Sequence, residues 1–307
     1  MEENFKDFIQ AITLTSVQNE DARTKYVGVC KKLYSHFYSG DYDDGKKFLF
    51  GSYKTKTNVR PLTSDQDVDV LFKISQETFD KYDQYESNGQ AALLQEVRNA
   101  LKEKYTTTDT IKAWGKVVLV VFDENHHNVE LLPALELDDK TFKIPNSENG
   151  GSWEIFDPRA ELDKFQKSNT NTNGLTKDLA KMLKTWAHTT TSMTYKSCKR
   201  LDNIIDFLEE NYPQGKGVET YAKVVFDFFY FMRSKCGEEI KSFIETAYNR
   251  AQKAMQFDDD GKYIEASEEW RKIFGPKFPK ATENMRNNSE SLSSTPARPW
   301  FNLQKMR

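Results

Sequence analysis

Two aspartates one residue apart in an apolar run, Asp67-Val68-Asp69-Val70-Leu71, constrain this chain more than any other segment. On a β-strand alternate side chains share a face, so Asp67 and Asp69 stand side by side while Val68 and Val70 face a core. Carboxylates held that close repel each other and cost desolvation unless a cation joins them. The pattern predicts a strand with a cation-binding face. A pair of Mg²⁺ ions handling a nucleoside triphosphate suits such hard oxygen ligands.

Two metals need a third acid. Glu130 is the lone acid in the short apolar strand Val129-Glu130-Leu131-Leu132, where a carboxylate is costly without a task. The three acids converge if the two strands are neighbours. Asp65 continues the alternation but sits beside Ser64 and reads as a strand-entry acid. Asp123 and Glu124 fall in a predicted hairpin turn and are poorer ligands. An isolated Asp-x-Asp is a solvated strand face. What shifts it towards function is Gly51-Ser52 upstream, after the predicted strand Lys47–Phe50. Glycine lets the backbone approach a phosphate, and serine offers it a hydroxyl and an amide, especially if a helix starts there.

The 307 residues carry a formal net charge of −3, the wrong balance for a chain built to hold long nucleic acid. With 37% hydrophobic and 30% charged residues it has core material and a hydrophilic surface. Cys30, Cys198 and Cys236 form no CxxC pair and read as small buried hydrophobes rather than zinc ligands or disulfides. The acidic amino terminus lacks an apolar signal core, and no apolar run approaches a membrane span; the expected location is the cytoplasm.

Helical periodicity marks Phe5–Ile12, Tyr26–Phe37 and Leu93–Leu101. Strands are predicted at Val68–Ile74, as one run from Trp114 to Phe122, and at Val129–Leu132, closed by Pro133. A glycine loop follows around Asn149-Gly150-Gly151. From Leu175 the pattern is helical, with apolar faces through Trp186, Leu208, Met232 and Ala251. After Pro279 the composition shifts to a polar tail carrying Pro299-Trp300-Phe301. The expectation is an α+β chain: a mixed α/β lobe over 1–165, a helical lobe over 166–280 with the active site in the cleft between them, and a tail over 281–307. His126 and His127 read as polar loop residues, and His188 as a helix-end residue suited to the dipole. No P-loop and no Gly-x-Ser-x-Gly elbow is present.

Gly51-Ser52, Asp67-x-Asp69 and the apolar-Glu130-apolar strand resemble the nucleotidyltransferase signature of the polymerase-β superfamily. Gly51-Ser52-Tyr53-Lys54 … Thr57-Asn58-Val59-Arg60-Pro61 and Val129-Glu130-Leu131-Leu132-Pro133-Ala134 narrow the resemblance to bacterial cyclic GMP–AMP synthase-like nucleotidyltransferases (CD-NTases). So does Ala266 … Trp270-Arg271-Lys272-Ile273-Phe274-Gly275 … Phe278-Pro279. The resemblance implies a polymerase-β-like catalytic lobe joined to a helical lobe. It implies Mg²⁺-dependent joining of nucleoside triphosphates (two ions, with Mn²⁺ as a substitute) into cyclic di- or trinucleotides. Such products are second messengers of anti-phage defence (CBASS), read by a separate effector protein. In this family the third acid is often Asp, whereas here it is Glu130.

The resemblance also gives roles to residues of the helical segment. Lys177, Lys181 and Lys184 form one stripe at i, i+4, i+7, ordinarily a solvated helix face. That reading is kept for Lys177, while the resemblance suggests that Lys184 contacts the triphosphate; Lys181 stands between the two. Ser197 matches a phosphate-contacting serine, but Cys198 replaces the aromatic that stacks on the base. The expected partners are nucleoside triphosphates, the effector, and a regulatory protein on the tail, with no membrane and no obligatory long nucleic acid. Alternatives are linear oligonucleotide synthesis, nucleotide transfer to a protein or RNA, and a catalytically silent nucleotide-binding subunit.

Overall fold

The apolar runs condense into one mixed sheet with helices around it. The computed structural model describes residues 1–63, 66–107, 110–122, 126–217 and 219–282. Asp65, Asp123, Glu124 and the segment 283–307 with Trp300 lie outside the described residues. In chain order the elements are α1 (Glu2–Ile12), α2 (Ser16–Phe37), β1 (Lys47–Leu49), α3 (Gly51–Lys54), β2 (Val68–Lys73), α4 (Gln76–Asp83) and α5 (Gly89–Lys104). Then come β3 (Ile111–Trp114), β4 (Val117–Val120), β5 (Val129–Glu136), β6 (Phe142–Asn146) and β7 (Ser152–Phe156). The helices α6 (Pro158–Asn171), α7 (Leu175–Thr189), α8 (Ser197–Asn211), α9 (Tyr221–Lys235), α10 (Glu238–Asp259) and α11 (Tyr263–Phe274) complete it.

The strand order is β1-β2-β5-β4-β3, with β6 bridging β5 to β7. Only β2 and β5 run parallel; every other described pair is antiparallel. Alternation sorts the two faces. Val68, Val70 and Phe72 of β2 join Val129 and Leu131 of β5 in the core beneath α2 and α5. Leu71, Leu132, Ala134, Phe142 and Ile144 build a second, smaller core on the other face, with Phe48, Phe50 and Phe156 packed against it.

Contacts divide the chain into two units. The larger, Ile9–Ala187 with Tyr195–Val218, holds the whole sheet. The other joins Met1–Phe8, His188–Thr194 and the described residues from Glu219 onward. Its core packs aromatic rings edge-on or tilted: the Phe5 centroid lies 5.0 Å from those of Trp270 and Phe278, and the Phe8 centroid lies 4.9 Å from that of Phe274. No helix among the described residues is long and apolar enough to cross a membrane.

Several expectations need correction. The run from Trp114 to Phe122 is not one strand: β3 ends at Trp114, and Gly115 at φ 54° turns the chain back into β4. Pro133 does not close its strand, because β5 continues to Glu136. Ala134 gives its carbonyl to Ile74 of the β2 side. Pro133 therefore faces the other edge, between the pairings of β4 with Val129–Leu131 and of β6 with Leu135–Glu136. No ladder hydrogen bond needs its missing N–H there. His127 is not a solvated loop residue but fully buried, and of the three cysteines only Cys30 is buried, while Cys198 is exposed.

Candidate active site

The strand pairing brings the three acids together. In the parallel β2–β5 ladder Asp69 lies directly across from Glu130, both on the face opposite α2 and α5. Asp67 stands two residues before Asp69, at the entry to β2, where Val68 N–H bonds to the Asn128 carbonyl at 2.9 Å. The three carboxyls act on one another. Burial, then Glu130 and Asp67, push the Asp69 carboxyl up to about 7, against a smaller opposing pull from Lys184. Burial, then Asp67, raise the Glu130 carboxyl as well.

The turn from β1 into α3 presses against this group. Phe50 N–H bonds to the Asp69 carbonyl at 3.2 Å, and Gly51 follows at φ 64°. A Cβ at Gly51 would lie 2.0 Å from Asp69 Oδ2, so only glycine lets the backbone pass. Ser52 then opens towards α7. Lys184 Nζ donates to Asn58 Oδ1 at 2.9 Å and to Ser52 Oγ at 3.4 Å, and Ser52 Oγ donates to the same Asn58 oxygen at 2.5 Å. One basic, one hydroxyl and one amide group thus meet within reach of the Asp69 charge.

Sequence periodicity placed Lys181 and Lys184 on a polar stripe, yet they are only 5% and 6% exposed. Lys181 Nζ donates to Thr13 Oγ1 at 2.9 Å. Burial is the main cause holding its ammonium below the ordinary value; Asp178 opposes this, and Lys177 and Lys56 add to it. Ser197 is the exposed first residue of α8, and the hydrogen bonds that join Ser52, Asn58 and Lys184 do not include it. Tyr53 packs edge-on against Tyr26 and His127 and donates its hydroxyl to the Asn19 carbonyl, so it ties α3 to α2.

Asn58 is the functional candidate that the sequence did not single out. It is buried, it accepts from both Ser52 and Lys184, and its Nδ2 donor has no hydrogen-bond partner in the structure. An orphaned buried donor beside a hydroxyl and an ammonium marks a place where an anionic oxygen fits. No signal separates this asparagine from a turn residue before the fold is known.

The acid face also fits divalent cations. It is a hard-oxygen set whose mutual repulsion a bound cation would relieve. Among the described residues no group of three His, Cys, Asp or Glu side chains is arranged to hold a metal ion as it stands.

Comparison with known proteins identifies the family and the fold. Residues 1–169 match the family described as the Second Messenger Oligonucleotide or Dinucleotide Synthetase domain. A probable cyclic nucleotide synthase of Bacillus cereus (strain VD146) is 23% identical over 276 residues, 76% of this chain and 83% of that protein. A mutant of the Vibrio cholerae dinucleotide cyclase DncV, in complex with ATP and GTP among its ligands, superposes with a TM-score of 0.68 at 13% identity, covering 91% of this chain and 96% of that one. Escherichia coli MS115-1 CdnC, in a complex with a HORMA protein, gives 0.63 at 17% identity over 91% and 98% of the two chains. These likenesses carry the fold, and the family match covers more than half of the chain. The chain belongs to the Second Messenger Oligonucleotide or Dinucleotide Synthetase family and is a nucleotidyltransferase of the CD-NTase type.

Proposed function

We propose that this protein joins nucleoside triphosphates into a cyclic di- or trinucleotide, releasing one pyrophosphate per bond. The observation that carries the reading is Asp69 across from Glu130 on parallel strands, with Asp67 beside them and the Ser52–Asn58–Lys184 group next to Asp69. In this reading Asp67, Asp69 and Glu130 hold two Mg²⁺ ions. These would polarise the α-phosphate and lower the pKa of the attacking ribose hydroxyl. The remaining work falls to the chain itself. Gly51 lets the backbone come close, and the Ser52 hydroxyl and the Asn58 amide hold phosphate oxygens. Lys184 offsets their charge from a site where burial strengthens the attraction. Lys181 supports that charge from one turn away, and the Ser197 hydroxyl at the start of α8 is a further phosphate contact in this reading. The ribose oxygen bonds to the α-phosphorus as the bond to pyrophosphate breaks, and a second transfer closes the ring.

Glu130 in place of the commoner Asp is one methylene longer and reaches the same centre from the neighbouring strand. The product is read by a separate effector protein in anti-phage defence. The complex of CdnC with a HORMA protein supports a regulatory protein partner for this chain too. The test is incubation with the four labelled ribonucleoside triphosphates and Mg²⁺. A phosphatase-resistant product is expected, reduced at least ~100-fold in Asp67→Asn and in Asp69→Asn. No product, or variants that match the wild type, ends the reading. Mass spectrometry before and after nuclease treatment distinguishes a ring from a linear chain.

A further inference from the structure

A second feature of the larger unit lies outside the acid cluster. A cavity of about 460 Å³ is walled by Lys54 at the end of α3 and Lys56 just after it, Lys177 near the start of α7, and Arg159 and Phe165 of α6, with Phe48 of β1 also lining it. Four cations line it against one carboxylate, Asp163. The chain as a whole is acidic, with 47 acids against 44 bases. Some other lysines of the chain pair with acids, among them Lys25 with Asp21, Lys73 with Glu136 and Lys164 with Asp202. Arg159 too is spoken for, held to Glu136 at 2.7 Å and stacked over the Phe48 and Phe142 rings. Among the described residues Lys54, Lys56 and Lys177 enter no ion pair and their ammonium groups make no hydrogen bond.

Lys54 and Lys56 are exposed and Lys177 is half-buried where they line this cavity. The fold holds Lys56 at φ 58°, a left-handed conformation that glycine adopts without cost and a long side chain does not. Thr57 N–H to the Ser52 carbonyl at 2.9 Å and Lys56 N–H to the Tyr53 carbonyl at 3.1 Å fix the turn. We propose that this cavity is a second anion site that binds a small phosphate polyanion of the pyrophosphate type through Lys54, Lys56 and Lys177, separate from the Ser52–Lys184 group. Lysine ammonium groups act as point charges and need no fixed fork geometry, so a compact, multiply charged anion satisfies all three at once. Arg159, pinned by Glu136, shapes the wall and keeps Phe48 in place.

Such an anion has two sources, the free diphosphate and the phosphate chain of a nucleotide. The experiment uses the full-length protein in EDTA without Mg²⁺, so its outcome is independent of the proposed reaction. Inorganic pyrophosphate and ATP are titrated separately by calorimetry. One-to-one binding of pyrophosphate is expected. Lys54→Ala/Lys177→Ala should weaken it at least tenfold, Lys177→Arg should retain it, and Lys167→Ala, an exposed α6 lysine outside the cavity, should leave it within twofold. Circular dichroism confirms that each variant is folded. ATP binding with the same dependence on Lys54 and Lys177 makes the nucleotide's phosphate chain the source; pyrophosphate binding alone makes it the free anion. Absence of pyrophosphate binding overturns the proposal. So does a loss in Lys184→Ala as large as in the double variant, which would place the anion at Ser52.

Discussion

His127 shows how far one residue departs from its sequence context. Beside an exposed His126 that bonds to Asp21, it is fully buried against the Tyr53 ring, and neither ring nitrogen has a hydrogen-bond partner. Burial is the main cause pulling its imidazole down to about 4, from an ordinary 6.5. Between those values the unfolded chain binds the extra proton. Its contribution to stability is therefore complete above pH ~6.5 and drains away as the pH falls towards 4, by at most about 3 kcal/mol. Urea midpoints of wild type and His127→Phe at pH 7, 5.5 and 4.5 check this: the wild type should lose more than the variant across that range. The acids were legible because a carboxylate in an apolar strand is anomalous wherever it lies. His127 was not legible, since a histidine pair in a polar turn has no periodicity to report its burial.

At the scale of elements, the site depends on how β1, α3, β2, β5 and α7 meet. Gly51 is the tightest junction. Gly51→Ala should cost at least ~2 kcal/mol, from a left-handed φ and a Cβ 2.0 Å from Asp69 Oδ2. Thermal denaturation reads the loss, and nucleotidyl transfer should fall with it. Lys184→Ala removes the ammonium that Ser52 and Asn58 share. In the proposed reaction it should raise KM for the triphosphate at least ~10-fold, a change that steady-state kinetics would show. Long periodic helices such as α5, α7 and α10 could be read from the chain alone. The segments α4, α6 and the β6–β7 hairpin could not. The sequence of α6, Pro158-Arg159-Ala160-Glu161-Leu162-Asp163-Lys164-Phe165, carries few apolar residues, and β7 leaves Ser152 and Ile155 exposed. Short or polar elements take their form from the neighbours they pack on.

Over the whole molecule the smaller unit is assembled from segments far apart in the chain. Phe5, near the amino terminus, sits among Trp270, Phe274 and Phe278, and Glu2 accepts from the Tyr221 N–H at 2.8 Å. Phe5→Ala should cost roughly 3–5 kcal/mol, read as a lowered midpoint in chemical denaturation, and a chain beginning at Ile9 should lose more. The first helix was legible as a helix, but its partner was not, because periodicity shows which face is apolar and never what covers it. The same division runs through the molecule. By itself the sequence determined the strand that carries Asp69 with Asp67 at its entry, the anomalous Glu130, the Gly51-Ser52 turn and most helices, since each follows from local periodicity and from the cost of charge in an apolar run. Tertiary structure alone decided that β2 and β5 run parallel with Asp69 against Glu130, that Lys181 and Lys184 are buried, that Asn58 joins Ser52 to Lys184, and that three unpaired lysines share a cavity. Those are long-range placements, fixed by which surfaces exclude water together, and no local pattern encodes them.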